Sequence, residues 1–373
     1  MNPKIDNIFL DGDILEFTIS NIDVTIANTL RRTILSDIYT CVFKTYPYNE
    51  CDANIEINTT RLNNEILKQR LSCIPIHITD DDFPIGNIIL IIDKENTSNI
   101  IEYVTTEDFQ LYDTNTKAYI PKEDVSKIFP MNNITKNYID FARLRPRISD
   151  EIPGERLKLT CKISKGCARD DSMFNVACNS SYGYTLDKDK IDKLWNEKEN
   201  ELKEKKMSIE EIEYIKNDWY ALDAKRIYVT DENTNKPNSF DFVIQTIGVY
   251  SPYQLIKKAC NIIYDNLEEF SVNSNLYEIN ISDTTINNCY DIILYNKDHT
   301  FGKLLEYLLY INFYETGKLS FCGFIKKHPH DDYCIIRIAY NEVVEKEEIY
   351  KDISYSCKYG IDMYTEIEQL FIE

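Results

Sequence analysis

The chain has 373 residues, 43% of them hydrophobic and 28% charged, a globular composition that excludes an intrinsically disordered protein. Its 42 Lys and Arg against 62 Asp and Glu leave a formal charge of −20. That excludes a free-standing nucleic-acid binder, which needs a basic footprint.

Residues 8–20 alternate apolar and polar around Asp11-Gly12 and predict a hairpin. Behind Asp23, a typical N-cap residue, Val24, Ala27, Leu30, Ile34 and Ile38 recur at helical spacing. This predicts an amphipathic helix that carries Arg31 and Arg32. Strands are predicted over 40–47 and 54–58, and a second helix over 63–72, ending before Pro75. The continuous apolar run 87–93 reads as a buried strand, 94–150 as a turn-rich stretch, and 155–184 as two strands. Residues 186–222 are rich in Lys and Glu and predict one or two exposed helices, broken at Met207-Ser208 with Ser208 as the second N-cap.

A strand follows over 240–248. Ser251-Pro252 then opens a helix with Leu255, Ala259, Ile262, Ile263, Leu267 and Phe270 on one face. After a polar joint at 271–275 the pattern repeats on a smaller scale. It has strands at 277–281 and 291–295, a helix from Thr300 with Leu304, Leu305, Leu308 and Leu309, and strands at 319–325 and 333–339. A long closing helix carries Ile349, Ile353, Ser356, Gly360, Tyr364, Ile367 and Phe371 in one stripe. Strand–helix–strand–helix material thus occurs twice.

Chemistry-bearing motifs are sparse. No phosphate-binding glycine loop, nucleophile elbow or kinase motif occurs. The 11 Cys contain no CxxC pair, so neither a disulfide framework nor a zinc ribbon is expected. Cys161, Cys167 and Cys178 read as small core residues. The acidic triplet Asp80-Asp81-Asp82 reads as a solvated loop, because consecutive carboxylates on a strand do not face one ion. His328-Pro329-His330, with Asp331 and Asp332, is the one local histidine cluster. It supports an alternative reading, a stand-alone metal-dependent enzyme centred on His328 and His330. The reading favoured here has no catalytic residue, no metal and no cofactor. The chain lacks a long apolar run and its start lacks a signal-peptide layout, so no membrane span is expected and an intracellular protein is.

Five stretches in order carry a resemblance. Asp23–Ser36, with Ala27-Asn28-Thr29-Leu30-Arg31-Arg32, resembles the "ANxLRRxxL" helix of the alpha-like subunits of cellular RNA polymerases. Asn58–Glu65 followed by Gln69-Arg70-Leu71-Ser72-Cys73-Ile74-Pro75 is similar to that family's "R-L-x-x-I-P" segment. Glu155–Gly166 resembles a strand pair of its insert domain, and Phe240–Gly248 with Ser251-Pro252 its returning strand and final helix. Asp298-His299-Thr300-Phe301-Gly302-Lys303-Leu304-Leu305, with Phe321–Phe324 and His328-Pro329, resembles the "DHTLGN-LL … F-x-GY … HP" pattern of the smaller alpha-like partner. Lys303 and Glu306 depart from that pattern, as does Ala168–Phe174 from the family's basic run, and a metal-binding cysteine cluster found in some members is missing between Ile78 and Asp150.

The resemblance implies a fused pair: a larger half like the third subunit of eukaryotic polymerase II or archaeal D, and a smaller half like the eleventh subunit or archaeal L. It implies an α+β fold with two alpha-like dimerisation domains, helices on antiparallel sheets, paired within one chain, plus a mainly β insert domain. The implied boundaries are 1–46 with 227–270 for the larger domain, 47–226 for the insert including the helical insertion 186–222, and 276–373 for the smaller domain. The implied function is a non-catalytic assembly platform of DNA-directed RNA polymerase. Its partners would be the two largest subunits and small subunits, with DNA reached only through the complex and no homodimer needed. Subunit-contact candidates are Asn28, Arg31, Arg32, Glu65, Arg70, Asp298, His299 and Gly302. Glu65 and Arg70 are also placed to pair with each other, and Thr300 to cap the helix beside His299. The fusion and the abundance of Asn, Ile, Lys and Tyr are similar to those of large nucleocytoplasmic DNA viruses, which would place the protein in the virion and the host cytoplasm.

Overall fold

The computed structural model describes residues 2–80, 83–149 and 151–371; Asp81 and Asp82 of the acidic triplet lie outside them. The elements in chain order begin with β1 (Lys4–Asp11), β2 (Ile14–Ser20), α1 (Val24–Ser36), β3 (Tyr39–Val42), β4 (Ala53–Asn58), α2 (Asn64–Ser72), β5 (Ile88–Glu95), β6 (Glu102–Thr105), β7 (Gln110–Asp113) and β8 (Ala118–Tyr119). There follow α3 (Lys122–Ile128), β9 (Asp140–Leu144), β10 (Arg156–Lys162), β11 (Ser164–Cys167), β12 (Ala177–Tyr184), α4 (Lys188–Glu204), α5 (Ile209–Leu222), β13 (Ser239–Thr246) and α6 (Pro252–Val272). The last stretch holds β14 (Tyr277–Ile281), β15 (Cys289–Tyr295), α7 (His299–Leu309), β16 (Leu319–Ile325), β17 (Tyr333–Tyr340) and α8 (Lys346–Gln369). The fold is α+β, with antiparallel sheets throughout the registers observed.

The chain divides into two compact units. The first comprises Met1–Ile34, Asn179–Gln245 and Pro252–Glu373. It contains a sheet in the order β1-β2-β13-β12 and another in the order β14-β15-β17-β16. The predicted hairpin turns at Gly12, whose φ of +57° suits a residue without Cβ, so that Asp11 faces Ile14. Strand β2 alternates: Leu15, Phe17 and Ile19 are buried and lie opposite Ile244, Phe242 and Phe240 of β13, with Phe17 and Phe242 stacked 5.1 Å apart. In the other sheet Ile292 and Leu294 of β15 and Ile336 and Ile338 of β17 are fully buried; α7 packs on β16 and β17, and α8 packs on α7.

Three predicted elements need correction. The predicted 40–47 strand is shorter and starts earlier: β3 covers Tyr39–Val42, the residues that pair with Ser164–Cys167 of β11. Residues 155–184 form three strands rather than two, since β10 enters a five-stranded sheet while β11 pairs with β3 and β12 joins the β13 sheet. The helix expected from Thr300 starts at His299, because Asp298 is the N-cap: its Oδ1 accepts from the amides of Thr300 at 2.8 Å and Phe301 at 3.4 Å.

The charged segment forms the helical hairpin α4–α5. Ser208 caps α5 in a reciprocal pair with Glu211, as a Ser-x-x-Glu sequence favours. It is not solvated on every face. Ile191, Trp195, Leu202, Trp219 and Ala224 make a small core of its own, with the two indoles 5.4 Å apart.

The second unit comprises Leu35–Cys178 and Thr246–Ser251. Its sheet order is β4-β10-β5-β7-β8, flanked by the pairs β11-β3 and β6-β9. The apolar run predicted as a buried strand is β5, with Ile88, Leu90 and Ile92 buried in a core shared with Phe43, Leu67, Phe109, Phe129 and Phe141. Asn63 caps α2 by accepting from the Ile66 amide.

Candidate assembly interface

Within the first unit the two halves of the sequence meet along four helices. Helix α6, from the larger half, packs along α8, from the smaller. The crossing is close because Gly360 has no side chain: a Cβ there would lie 2.8 Å from Leu308 Cδ1 and 3.0 Å from Leu267 Cδ1. The stripe read from the sequence of α8 is buried along its length, from Ile349 to Ile367, and Phe371 lies against Phe17 at 4.9 Å, edge to face. Phe270 stacks on Tyr277 at 4.4 Å and meets Phe301 at 5.0 Å.

Several polar groups at this interface are matched, although the Ser356 hydroxyl of the α8 stripe is buried without a hydrogen-bond partner. The fully buried Tyr364 hydroxyl of α8 donates to the Ile26 carbonyl of α1 at 3.2 Å. Burial pushes its phenol well above the usual tyrosine range, so it remains a donor at any physiological pH. Lys297 donates to Asn266 Oδ1 at 3.0 Å while lying over the Phe301 ring. Cys260 and Cys357 are buried beside them; burial raises both thiols, Cys357 to about 12, which keeps them protonated and unreactive.

Arg32 reaches from α1 to the start of α7. Its Nε donates to Thr300 Oγ1 at 2.7 Å, and its terminal nitrogen lies 3.6 Å from Asp298 Oδ2. The Thr300 hydroxyl in turn donates to the same carboxylate at 3.3 Å. One aspartate therefore both caps α7 and holds the guanidinium. Arg31 is bonded locally instead, its Nε donating to Asn28 Oδ1 at 3.0 Å.

The structure thus joins Arg32 of α1 to Asp298 and Thr300 at the start of α7, while Asn28 and Arg31 bond to each other on α1 and His299 and Gly302 lie against Phe324. Arg32 finds its carboxylate inside the chain. His299 is exposed, with its ring 5.2 Å from that of Phe324. Gly302 is buried under the same ring, where a Cβ would come within 2.0 Å of Phe324 Cε2. The unusual Lys303 and Glu306 pair with each other at 2.5 Å.

Glu65 and Arg70 belong to the second unit, and they are not partners. Arg70 donates from Nε to the Phe141 carbonyl at 2.8 Å and from its terminal nitrogen to the Asp140 carbonyl at 2.6 Å, because α2 packs on β9. Glu65 stands exposed in the first turn of α2, where a carboxylate favours the helix dipole. Arg169, in the stretch that departs from the family's basic run, is held by Asp37 at 2.7 Å.

His328 and His330 lie exposed in the turn between β16 and β17, with the His328 amide donating to Asp331. Among the described residues no group of three or more His, Cys, Asp or Glu is placed to hold a metal ion, so no geometry supports the metal-enzyme alternative. Among them, too, no helix is long and apolar enough to cross a membrane.

Sequence reasoning missed the contributions of Thr300, Tyr364 and Lys297 to joining the halves. Tyr364 and Gly360 were visible as members of the α8 stripe, but nothing in the pattern gave their partners on α1 and α7.

Comparison with known proteins bears on the family. The chain is 28% identical to human "DNA-directed RNA polymerases I and III subunit RPAC1" over 205 residues, 48% of this chain and 54% of that protein. It thus spans about half the length of that relative. It is 24% identical to Arabidopsis thaliana "DNA-directed RNA polymerases IV and V subunit 3B" over 311 residues, 74% of this chain and 92% of the relative. A protein of Acanthamoeba polyphaga mimivirus, "Putative DNA directed RNA polymerase subunit R470", is 26% identical over 135 residues, 35% of this chain and 34% of the relative. Residues 16–267, well over half of the chain, match the family described as the RNA polymerase Rpb3/Rpb11 dimerisation domain, and the chain belongs to that family.

Proposed function

We propose that the chain is a non-catalytic assembly platform of a multisubunit DNA-directed RNA polymerase. In this reading 1–46 with 227–270 is a larger alpha-like domain, 47–226 an insert, and 276–373 a smaller alpha-like domain fused to the first. The observation that carries it is the interface of α1, α6, α7 and α8, where two sheet-and-helix halves of one chain bury their apolar stripes against each other. Fusion holds such halves at an effective concentration on the order of millimolar, so pairing survives dilution. The outer face of the pair is the platform for the two largest subunits and for small subunits, with Asn28, Arg31 and His299 as contact candidates there and Glu65 on the insert. The acidic charge suits a scaffold that meets DNA only through the complex.

The mimivirus relative and the Asn-, Ile-, Lys- and Tyr-rich composition support an origin in a large DNA virus, with the protein acting in host cytoplasm and packaged in the virion. Co-expression with the two largest polymerase subunits of the same source tests the function. Tagged chain should recover both, as read by mass spectrometry of the pull-down. Recovery of neither, under conditions where each subunit is expressed and soluble, would overturn the platform reading.

A further inference from the structure

Strand β1 is an outer strand of its sheet, so among the described residues one row of its main-chain amides and carbonyls has no strand partner. It is exposed at every position but Ile5, which is half-buried. It also carries three consecutive apolar residues, Ile8, Phe9 and Leu10, at 49%, 60% and 49% exposure. Proteins ordinarily blunt such an edge. The outer strands of the other sheet in this unit are engaged by side chains: the Phe324 amide of β16 donates to Glu306 Oε1 at 3.1 Å, and Lys346 donates to the Ile279 carbonyl of β14 at 2.7 Å.

The sequence of β1, from Lys4 to Asp11, is complementary to itself. Laid antiparallel on a second copy about a two-fold axis between Asn7 and Ile8, it sets Lys4 opposite Asp11 of that copy and Ile5 opposite its Leu10, each pair twice. The pairs also fall on matching faces. Ile5 and Leu10 are five positions apart, which in a regular strand puts side chains on opposite faces. The bulge between Asp6 and Phe9 returns them to one face: Ile5 lies opposite Ile19 and Leu10 opposite Leu15, both fully buried residues of β2. By the same count Lys4 and Asp11 share the other face, opposite Ser20 and Ile14.

We propose that β1 pairs antiparallel with β1 of a second copy of this chain, joining two four-stranded sheets into one continuous sheet. Opposite charges at its two ends, with apolar side chains between them, select that occupant. The formal charge of −20 opposes association, but near physiological ionic strength charges more than about 8 Å apart are largely screened. Contacts at the edge itself then decide. A single strand edge covers less area than a permanent dimer needs, so the dimer is a reversible one. The inference does not depend on the polymerase reading and is separate from the pairing of the two halves within one chain.

The test is sedimentation equilibrium of the isolated full-length chain at concentrations from about 1 to 200 µM. The average mass should rise from monomer toward dimer. Lys4→Asp sets two like-charged pairs where two opposite ones stood and should weaken the dimer by about tenfold. Asp11→Lys should do the same. Lys4→Asp combined with Asp11→Lys restores opposite charges and should recover most of the affinity, which a merely structural role for either residue does not produce. Circular dichroism checks that each variant is folded, and Lys4→Asp, which lies away from the hairpin turn, is the deciding one if a change at Asp11 disturbs that turn. Lys188→Asp, on an exposed position of α4, makes the same change in net charge and should leave the dimer as it was. A monomer at every concentration, which leaves the edge to a strand of another polypeptide, overturns the proposal. So does a Lys4→Asp dimer as strong as that of Lys188→Asp, or a folded double variant no tighter than the single ones.

Discussion

Arg32 donates to the hydroxyl of Thr300 at 2.7 Å across 268 positions of sequence, and both are tied to the carboxylate of Asp298. The three residues couple the α1 helix of the larger half to the first turn of α7 in the smaller. Asp298→Ala removes a helix cap and a charge partner together. It should cost about 1–2 kcal/mol from the cap alone. Arg32→Ala should cost less, because its side chain is 41% exposed and solvent screens the pair. A double-mutant cycle by urea unfolding should give a coupling of about 0.5–1 kcal/mol. A coupling of zero would mean that the two residues are neighbours without consequence.

Gly360 controls how closely α8 approaches its neighbours. Gly360→Val would place carbon within contact distance of Leu308 and Leu267, both buried and unable to move freely. Destabilisation of about 1–3 kcal/mol is expected, together with looser packing, seen as a lower thermal midpoint. Gly302→Ala is a different case. Its obstacle is the Phe324 ring, which is only half-buried and can swing aside, so a smaller change is expected there.

The polypeptide link between the halves should be dispensable once the protein has folded. Helix α6 ends at Val272, which is 81% exposed, and β14 starts at Tyr277. A protease site inserted at 273–275 should be cut readily. The two pieces should then co-elute on gel filtration, because separating them would expose the stripes of α6 and α8. Elution as two folded monomers would refute pairing within the chain.

Acid should weaken the smaller sheet through one identifiable pair. Arg337 holds Asp291 at 2.6 and 2.8 Å across β15 and β17. The guanidinium hydrogen bond holds the Asp291 carboxyl below the usual aspartate range. A depressed folded-state pKa means stability that is fully present above the unfolded value, about 4, and lost as pH falls through the folded one. Asp291→Asn should therefore lower stability at pH 7 by about 1 kcal/mol or less and make the loss between neutral and pH 3 smaller. Parallel acid profiles for the two proteins would show that the pair contributes nothing.

How much of this could be read from the sequence follows from the range of each interaction. Helix positions, the Asp11-Gly12 hairpin and the Ser208 cap depend on residues a few places apart, and periodicity exposes them. The cap of α7 was misassigned because Asp298 and Thr300 are both capping residue types two positions apart, and only the backbone geometry separates them. Arg70 shows the other limit. Its partners are main-chain carbonyls at Asp140 and Phe141, and no side-chain pattern encodes a carbonyl. Arg32 likewise drew attention as a charged group in need of a partner, while the partner's identity depended on how the two halves come together.

The helical hairpin offers a separate test of how the chain is divided energetically. The protein has two Trp, and both, Trp195 and Trp219, lie in the α4–α5 core at 6% exposure or less. Tryptophan fluorescence therefore reports this hairpin alone, while far-ultraviolet circular dichroism reports all the helices and sheets. The hairpin core contains few buried apolar side chains beyond the two indoles, whereas the second unit has a core of more than twenty. Local stability follows buried apolar contact, so small satellite cores open first. The fluorescence transition in urea should come at lower denaturant than the dichroism transition, which breaks two-state behaviour. Trp219→Ala, which removes a buried indole and should cost about 3–5 kcal/mol locally, should melt the hairpin without abolishing the sheet signal. Coincident transitions in the unmodified protein, or global unfolding of Trp219→Ala, would show instead that the hairpin is an integral part of the unit that contains it.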